Sequence, residues 1–125
     1  MSTAVVFVES PPGLAPLVDF TLDDVEGAPG LHTLSSSEHP EIRLFVVDAP
    51  VYLPWYEPHF GSDAFSSVGA ADQEHTDVLV VTTLSDGAPI VNLMAPMLVN
   101  RETGAAAQVI LDDDRWPLRA ELLPV

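Results

Sequence analysis

The chain contains no cysteine and no lysine. Without cysteine there is no disulfide framework, no thiolate metal site and no sulfur nucleophile. Without lysine there is no Schiff-base amine and no P-loop side chain to reach a nucleotide phosphate. Basic charge is scarce altogether. Arg43, Arg101, Arg115 and Arg119 stand against nineteen acidic residues, giving a formal net charge of −15. Proteins bind nucleic acid largely by releasing counterions as Lys and Arg neutralise phosphates. This composition opposes direct nucleic-acid binding; the acidity either only keeps the protein soluble or attracts a basic partner and speeds its encounter. Long apolar runs are also missing. The N-terminal MSTAVVFVES has no basic leader, and its apolar stretch stops at Glu9, so it reads as neither signal peptide nor membrane span. A cytoplasmic protein without membrane attachment is the simplest expectation.

What is present is a β-forming chain cut into short pieces. The 125 residues suit one domain spanning 1–125, and 47% hydrophobic residues suffice for a core. Twelve prolines and seven glycines punctuate it throughout, which suits many short strands and few helices. Strands are expected over Ala4–Glu9, Asp19–Val25, Leu31–Leu34, Ile42–Asp48, Asp77–Leu84 and Ala106–Leu111. Ile42, Leu44 and Val46 share one face of their strand, with Arg43, Phe45 and Val47 on the other. Asp77–Leu84 is apolar on both faces and should be central. One helical turn is expected at Leu14–Val18, a short helix at Ser62–Gly69 and another around Pro117–Leu123, while VYLPWYEPHF from Val51 reads as an extended loop. Asp86-Gly87 turns the central strand back into IVNLMAPMLVN (residues 90–100), where Pro96 has no N–H for a ladder and marks a corner. Asn92 is placed to satisfy the backbone groups such a corner leaves unpaired. Gly104 can take the left-handed conformation of a bulged hairpin. With no βαβ spacing, the fold class is all-β: a small closed or partly open antiparallel β-barrel with one or two short helices or 3₁₀ turns.

Residues that carry catalytic chemistry are sparse. The histidines at 32, 39, 59 and 75 have no metal-ligand spacing. Asp112-Asp113-Asp114 has Pro117 where an EF-hand requires glycine, and reads as a solvated acidic turn. Ser66 and Ser67 are not in a nucleophile elbow. No cofactor or metal is implied. What stands out instead is the set Tyr52, Trp55 and Tyr56 in the proline-rich segment, with Met94 and Met97 flanking Pro96. Aromatics and methionine are enriched at protein-binding surfaces. The plain alternative is that they cap the ends of the barrel.

The second half of the chain resembles the FliW family of bacterial flagellar assembly factors. The resemblance rests on Val81-Thr82, Asn92-Leu93-Met94-Ala95-Pro96, Asn100-Arg101-Glu102-Thr103 and Gln108-Val109-Ile110-Leu111. Pro12-Gly13-Leu14, Phe20 with Leu22, Leu34-Ser35 and Val47-Asp48 agree more loosely. Gly104–Ala107 is neutral where the family is usually rich in Lys and Arg, and Met94 stands where a basic residue or leucine is common. The resemblance implies a non-enzymatic, cytoplasmic β-barrel regulator. It binds flagellin and also CsrA, the RNA-binding repressor of flagellin translation, by partner switching. Partner contacts are expected among Tyr52, Trp55, Tyr56, Asn92, Leu93, Met94, Ala95, Pro96 and Met97, the Asn92–Pro96 segment being either a structural corner or part of the partner face. Asn92 and Pro96 lean towards structure and Met94 towards contact. The rival readings are a small β-barrel enzyme or ligand-binding module with a pocket in the barrel mouth, and an acidic mimic of nucleic acid. A barrel filled by its own side chains separates the first of these from a regulator.

Overall fold

The computed structural model describes residues 2–11, 14–58, 60, 62–70, 75–85, 88–111, 116 and 120–121. Among these, nine strands form: β1 (Ser2–Phe7), β2 (Asp19–Asp24), β3 (Leu31–Ser36), β4 (Arg43–Asp48), β5 (Thr76–Ser85), β6 (Ala88–Val91), β7 (Met97–Asn100), β8 (Ala105–Gln108) and β9 (Ala120–Glu121). Two short helices, α1 (Ala49–Tyr52) and α2 (Ser62–Ser67), lie between β4 and β5. β1 to β4 form an antiparallel meander, and β4 pairs with β5 through Val46↔Val81 and Val47↔Val80. From β5 the ladder continues through β7 and β8 back to β1, closing a seven-stranded barrel. The closing rung is parallel, Val6 opposite Ala105, because β1 and β8 both run away from the same end. The other pairings are antiparallel, as expected.

β5 is central, and its length explains why. Its first half pairs with β7 and its second half with β6, so IVNLMAPMLVN supplies two strands to one edge with a corner between them. Adjacent residues on β4, β5 and β7 therefore face two different cores. Val5, Phe7, Phe20, Leu34, Val46, Leu79, Met97, Val99 and Ala106 form the cluster that fills the barrel, every one of the seven strands contributing. Phe7 meets Phe20 edge-on at 5.3 Å. Val47, Val78, Val80 and Leu98 point the other way, into a second cluster with Ala49, Leu53, Tyr56, Leu93 and Trp116. A strand buried on both faces reads as a continuous apolar run, which is what β5 shows.

Several local expectations are corrected. Residues 49–52 form a helical turn, with Pro50 in its first turn where its missing N–H costs nothing; the helix stops before Pro54. Leu14–Leu17 is a hydrogen-bonded turn and not a helix, and β3 runs on to Ser36. The C-terminal helix is replaced at Ala120–Glu121 by a strand that pairs with β6, while the rest of that stretch lies outside the described residues. The Asp86-Gly87 turn and the Asp112–Asp114 run also lie outside them. No helix among the described residues is long and apolar enough to cross a membrane.

Candidate partner-binding surface

The corner between β6 and β7 is held by a dense set of hydrogen bonds. Asn92 Oδ1 accepts hydrogen bonds from the N–H groups of Met94 at 3.1 Å and Ala95 at 3.2 Å, while the Asn92 N–H donates to Val81 O. The four following carbonyls are satisfied in turn. Tyr56 Oη donates to Leu93 O and Leu111 N to Met94 O. Gln108 Nε2 donates to Ala95 O at 3.0 Å, and Val109 N to Pro96 O at 2.9 Å. Pro96 breaks the ladder, and residues from two distant segments repair it. Burial holds the Tyr56 phenol well above its ordinary pKa, so it stays a donor.

Asn92→Ala leaves two N–H groups without their acceptor and is expected to cost about 1–3 kcal/mol. Met94→Ala, whose side chain is only half-buried, should leave the melting temperature nearly unchanged and weaken partner binding. Thermal melts and a binding assay on both variants check this. An Asn92→Ala protein that melts like wild type but fails to bind would reverse the assignment.

The nine residues singled out in the sequence are divided by the fold. Met97 (1% exposed), Leu93, Ala95, Pro96 and Tyr56 (7% exposed) are buried. Met97 points into the barrel because it alternates with Leu98 on β7. Tyr56 joins Trp116 edge-on at 4.7 Å in the outer core. Their side chains are core rather than surface. Trp55 is 56% exposed and stacks on Trp116, and Tyr52 lines a shallow groove of about 260 Å³ with Leu31, Phe45 and Val47. Met94 reaches the barrel mouth.

The two ends of the barrel differ in chemistry. At the end where β2 finishes and β3 begins, residues one step beyond the interior cluster are charged. Asp24 and Asp48 flank His32, with Oδ1 atoms 2.8 Å from its Nδ1 and 3.1 Å from its Nε2. Asp77 lies 3.2 Å from Arg101 Nε; burial raises its pKa, and Arg101 works against that shift. Among the described residues no group of three histidine or acidic side chains is arranged to hold a metal ion.

At the opposite end the corresponding positions are apolar. Leu44, Val81, Leu14, Met94 and Ile110 line a groove of about 330 Å³ at the barrel mouth. Its polar members, Asn92 and Gln108, bond the corner, and among the described residues no titratable side chain lines it. Beside it, a second groove of about 690 Å³ runs between α2 and the end of β8, and the two meet at Gln108 and Ile110. Ile110, Val8 and Leu14 are not among the residues that sequence reasoning singles out for binding. The detectable signal is alternation: Ile110 keeps the parity of Ala106, which fills the barrel, and of Gln108 at the end of β8.

The FliW protein family matches residues 2–122 of the chain. The flagellar assembly factor FliW of Symbiobacterium thermophilum is 32% identical over 113 residues, covering 88% of this chain and 82% of that protein. That of Thermotoga neapolitana is 31% identical over 117 residues, covering 91% and 78%. That of Caldanaerobacter subterraneus subsp. tengcongensis is 27% identical over 123 residues, covering 95% and 81%. A crystal structure of the flagellar assembly factor FliW superposes with a TM-score of 0.88 at 22% identity, covering 98% of this chain and 86% of that one. The closed barrel, the bonded Asn92–Pro96 corner and the match along nearly the whole chain lead to one conclusion: this protein belongs to the FliW family of flagellar assembly factors, a regulatory family and not an enzyme family.

Proposed function

We propose that this chain acts in the bacterial cytoplasm as a monomeric switch that binds either flagellin or CsrA, and that flagellin export frees it to restrain CsrA. Family membership supports the flagellar half of this reading. The observation that carries the choice of partner chemistry is the coexistence of a −15 charge with an apolar, uncharged barrel mouth. An RNA-binding repressor must present a basic surface, and the field of this chain attracts it. Flagellin before assembly presents apolar helical faces, which suit an apolar groove. Among the described residues the mouth has no free convergent polar groups, which argues against the enzyme or small-ligand reading.

Co-purification with flagellin and CsrA from the same organism, each competed against the other, tests the proposal. Simultaneous binding of both in one complex would overturn the switch. The on-rate for CsrA should fall steeply between 50 mM and 1 M salt as the screening length shrinks from about 14 Å to about 3 Å, with the off-rate changing less. Flagellin affinity should hold. A CsrA on-rate flat in salt refutes the steering. In a gel shift, flagellin leader RNA should move only when CsrA is present, because the chain has almost no cations to neutralise phosphate.

A further inference from the structure

The mouth groove and its neighbour join at Gln108 and Ile110 into one trough, apolar at the mouth. Its wider half is an apolar strip of Val8, Ala64, Ala107, Val109 and Ile110, edged by Glu9, Ser10, Asp63 and Ser67. Val8 and Ile110 are 48% and 63% exposed, among the most exposed large apolar side chains of the molecule. Both belong to the trough, as do Met94 and Leu14. Exposed apolar patches with polar margins mark interaction sites. Among the described residues the margin has one sign: Glu9 and Asp63 line the wider half, and neither arginine nor histidine lines either half.

The fold limits how a polypeptide can sit there. Strand addition needs an open sheet edge. β1 is paired on both sides, by β2 and β8, and β8 by β7 and β1, so the strands beside the trough offer none. A polyproline helix docks against aromatic rings, and among the described residues no aromatic lines the trough. A phosphorylated segment needs an arginine cluster, and no arginine is among the described lining residues either. A helix laid in the groove requires only an apolar floor, and its ends or flanks can meet the acidic margin.

We infer that the trough running from Met94 past Ile110 to Val8 is the docking site for an amphipathic α-helix of a partner, apolar along one stripe and carrying arginine or lysine beside that stripe. This rests on the reading of the barrel mouth as a protein-binding groove and deepens it, fixing where the helix lies and which charge it carries beside its apolar stripe. The apolar stripe supplies affinity through burial, and the basic margin supplies orientation against Glu9 and Asp63.

Three synthetic helical peptides test it by fluorescence anisotropy on the full chain. The first carries leucine at i, i+3, i+4 and i+7 with flanking arginines, the second replaces the arginines by glutamate, and the third replaces the leucines by serine. The first should bind, and the other two at least about tenfold more weakly. Ile110→Asp should weaken the first peptide at least about tenfold, although its added negative charge alone would favour a basic ligand. Should that variant fail to fold, Val8→Asp provides the same reading at a second exposed position. Trp55→Ser, outside the trough, should leave binding unchanged. Glu9→Arg combined with Asp63→Arg should shift preference towards the glutamate peptide. Equal binding of the leucine and serine peptides, indifference to Ile110→Asp and Val8→Asp, or no binding of the first peptide overturns the inference. Capture of flagellin and CsrA is scored separately. Peptide binding without either protein sinks the proposed function alone, and protein binding without peptide sinks the docking site alone.

Discussion

Gly104→Ala is expected to lower the melting temperature by roughly 10 °C or more, reflecting a loss of about 3–5 kcal/mol. Gly104 has φ +80°, a conformation that costs an L-residue roughly 1–2 kcal/mol. A Cβ there would also run into the backbone carbonyl oxygen of Ala4. That carbonyl cannot retreat, since β1 is held to β2 over five residue pairs from Ser2↔Asp23 to Val6↔Asp19. Gly104 itself makes the closing contacts: its N–H donates to Asn100 O at 2.8 Å and its carbonyl accepts from Val6 N at 3.0 Å. A methyl group therefore pushes apart the start of the short β1–β8 pairing that closes the barrel. Gly27 is the internal control, with φ +83° and nothing within 4 Å of the place a Cβ would take, so Gly27→Ala should show only the dihedral cost. Paired thermal melts decide the matter. If the two variants lose equal stability, steric closure at β1 is not what makes Gly104 necessary.

Asn100→Ala should cost about 2–4 kcal/mol, because one buried side chain satisfies three backbone groups. Asn100 is 4% exposed. Its Oδ1 accepts from Glu102 N at 2.9 Å and Thr103 N at 3.3 Å, shaping the turn into β8, and its Nδ2 donates to Val68 O at 2.9 Å. The last bond ties the end of α2 to the barrel. Asn100→Asp separates the two roles. It keeps both accepted bonds but sets a carboxylate against the Val68 carbonyl. Burial and that carbonyl raise the pKa of the new carboxyl in the folded state, so stability is lost as pH rises and regained as pH falls. Denaturant melts at neutral and mildly acidic pH should show Asn100→Asp recovering on acidification and Asn100→Ala unchanged. An alanine variant within about 1 kcal/mol of wild type would mean that water replaces the side chain at all three sites.

The strands and their faces are written locally. Alternation sets Ile42, Leu44 and Val46 against Phe45 and Val47, and the double-sided apolar run of β5 requires burial on both sides wherever that strand ends up. The corner is also local: Pro96 cannot donate to a ladder, and Asn92 lies two and three residues from the N–H groups it accepts. Gly104 in its turn follows from the same short-range logic. Tertiary structure decided everything that depends on a distant partner. Periodicity cannot say that β1 closes against β8 in parallel, since an edge carries no mark of which edge it will meet. Nor can it tell a binding aromatic from a core one. Tyr56 became core because its hydroxyl reaches Leu93 O, 37 residues away, and its ring meets Trp116. His32 carries no motif in the sequence, yet registry with β2 and β4 sets it between Asp24 and Asp48. The trough has the same origin, because Val8, Met94 and Ile110 belong to three separate apolar runs until barrel closure lines them up. Local pattern decides which face a side chain takes; only closure determines what that face meets.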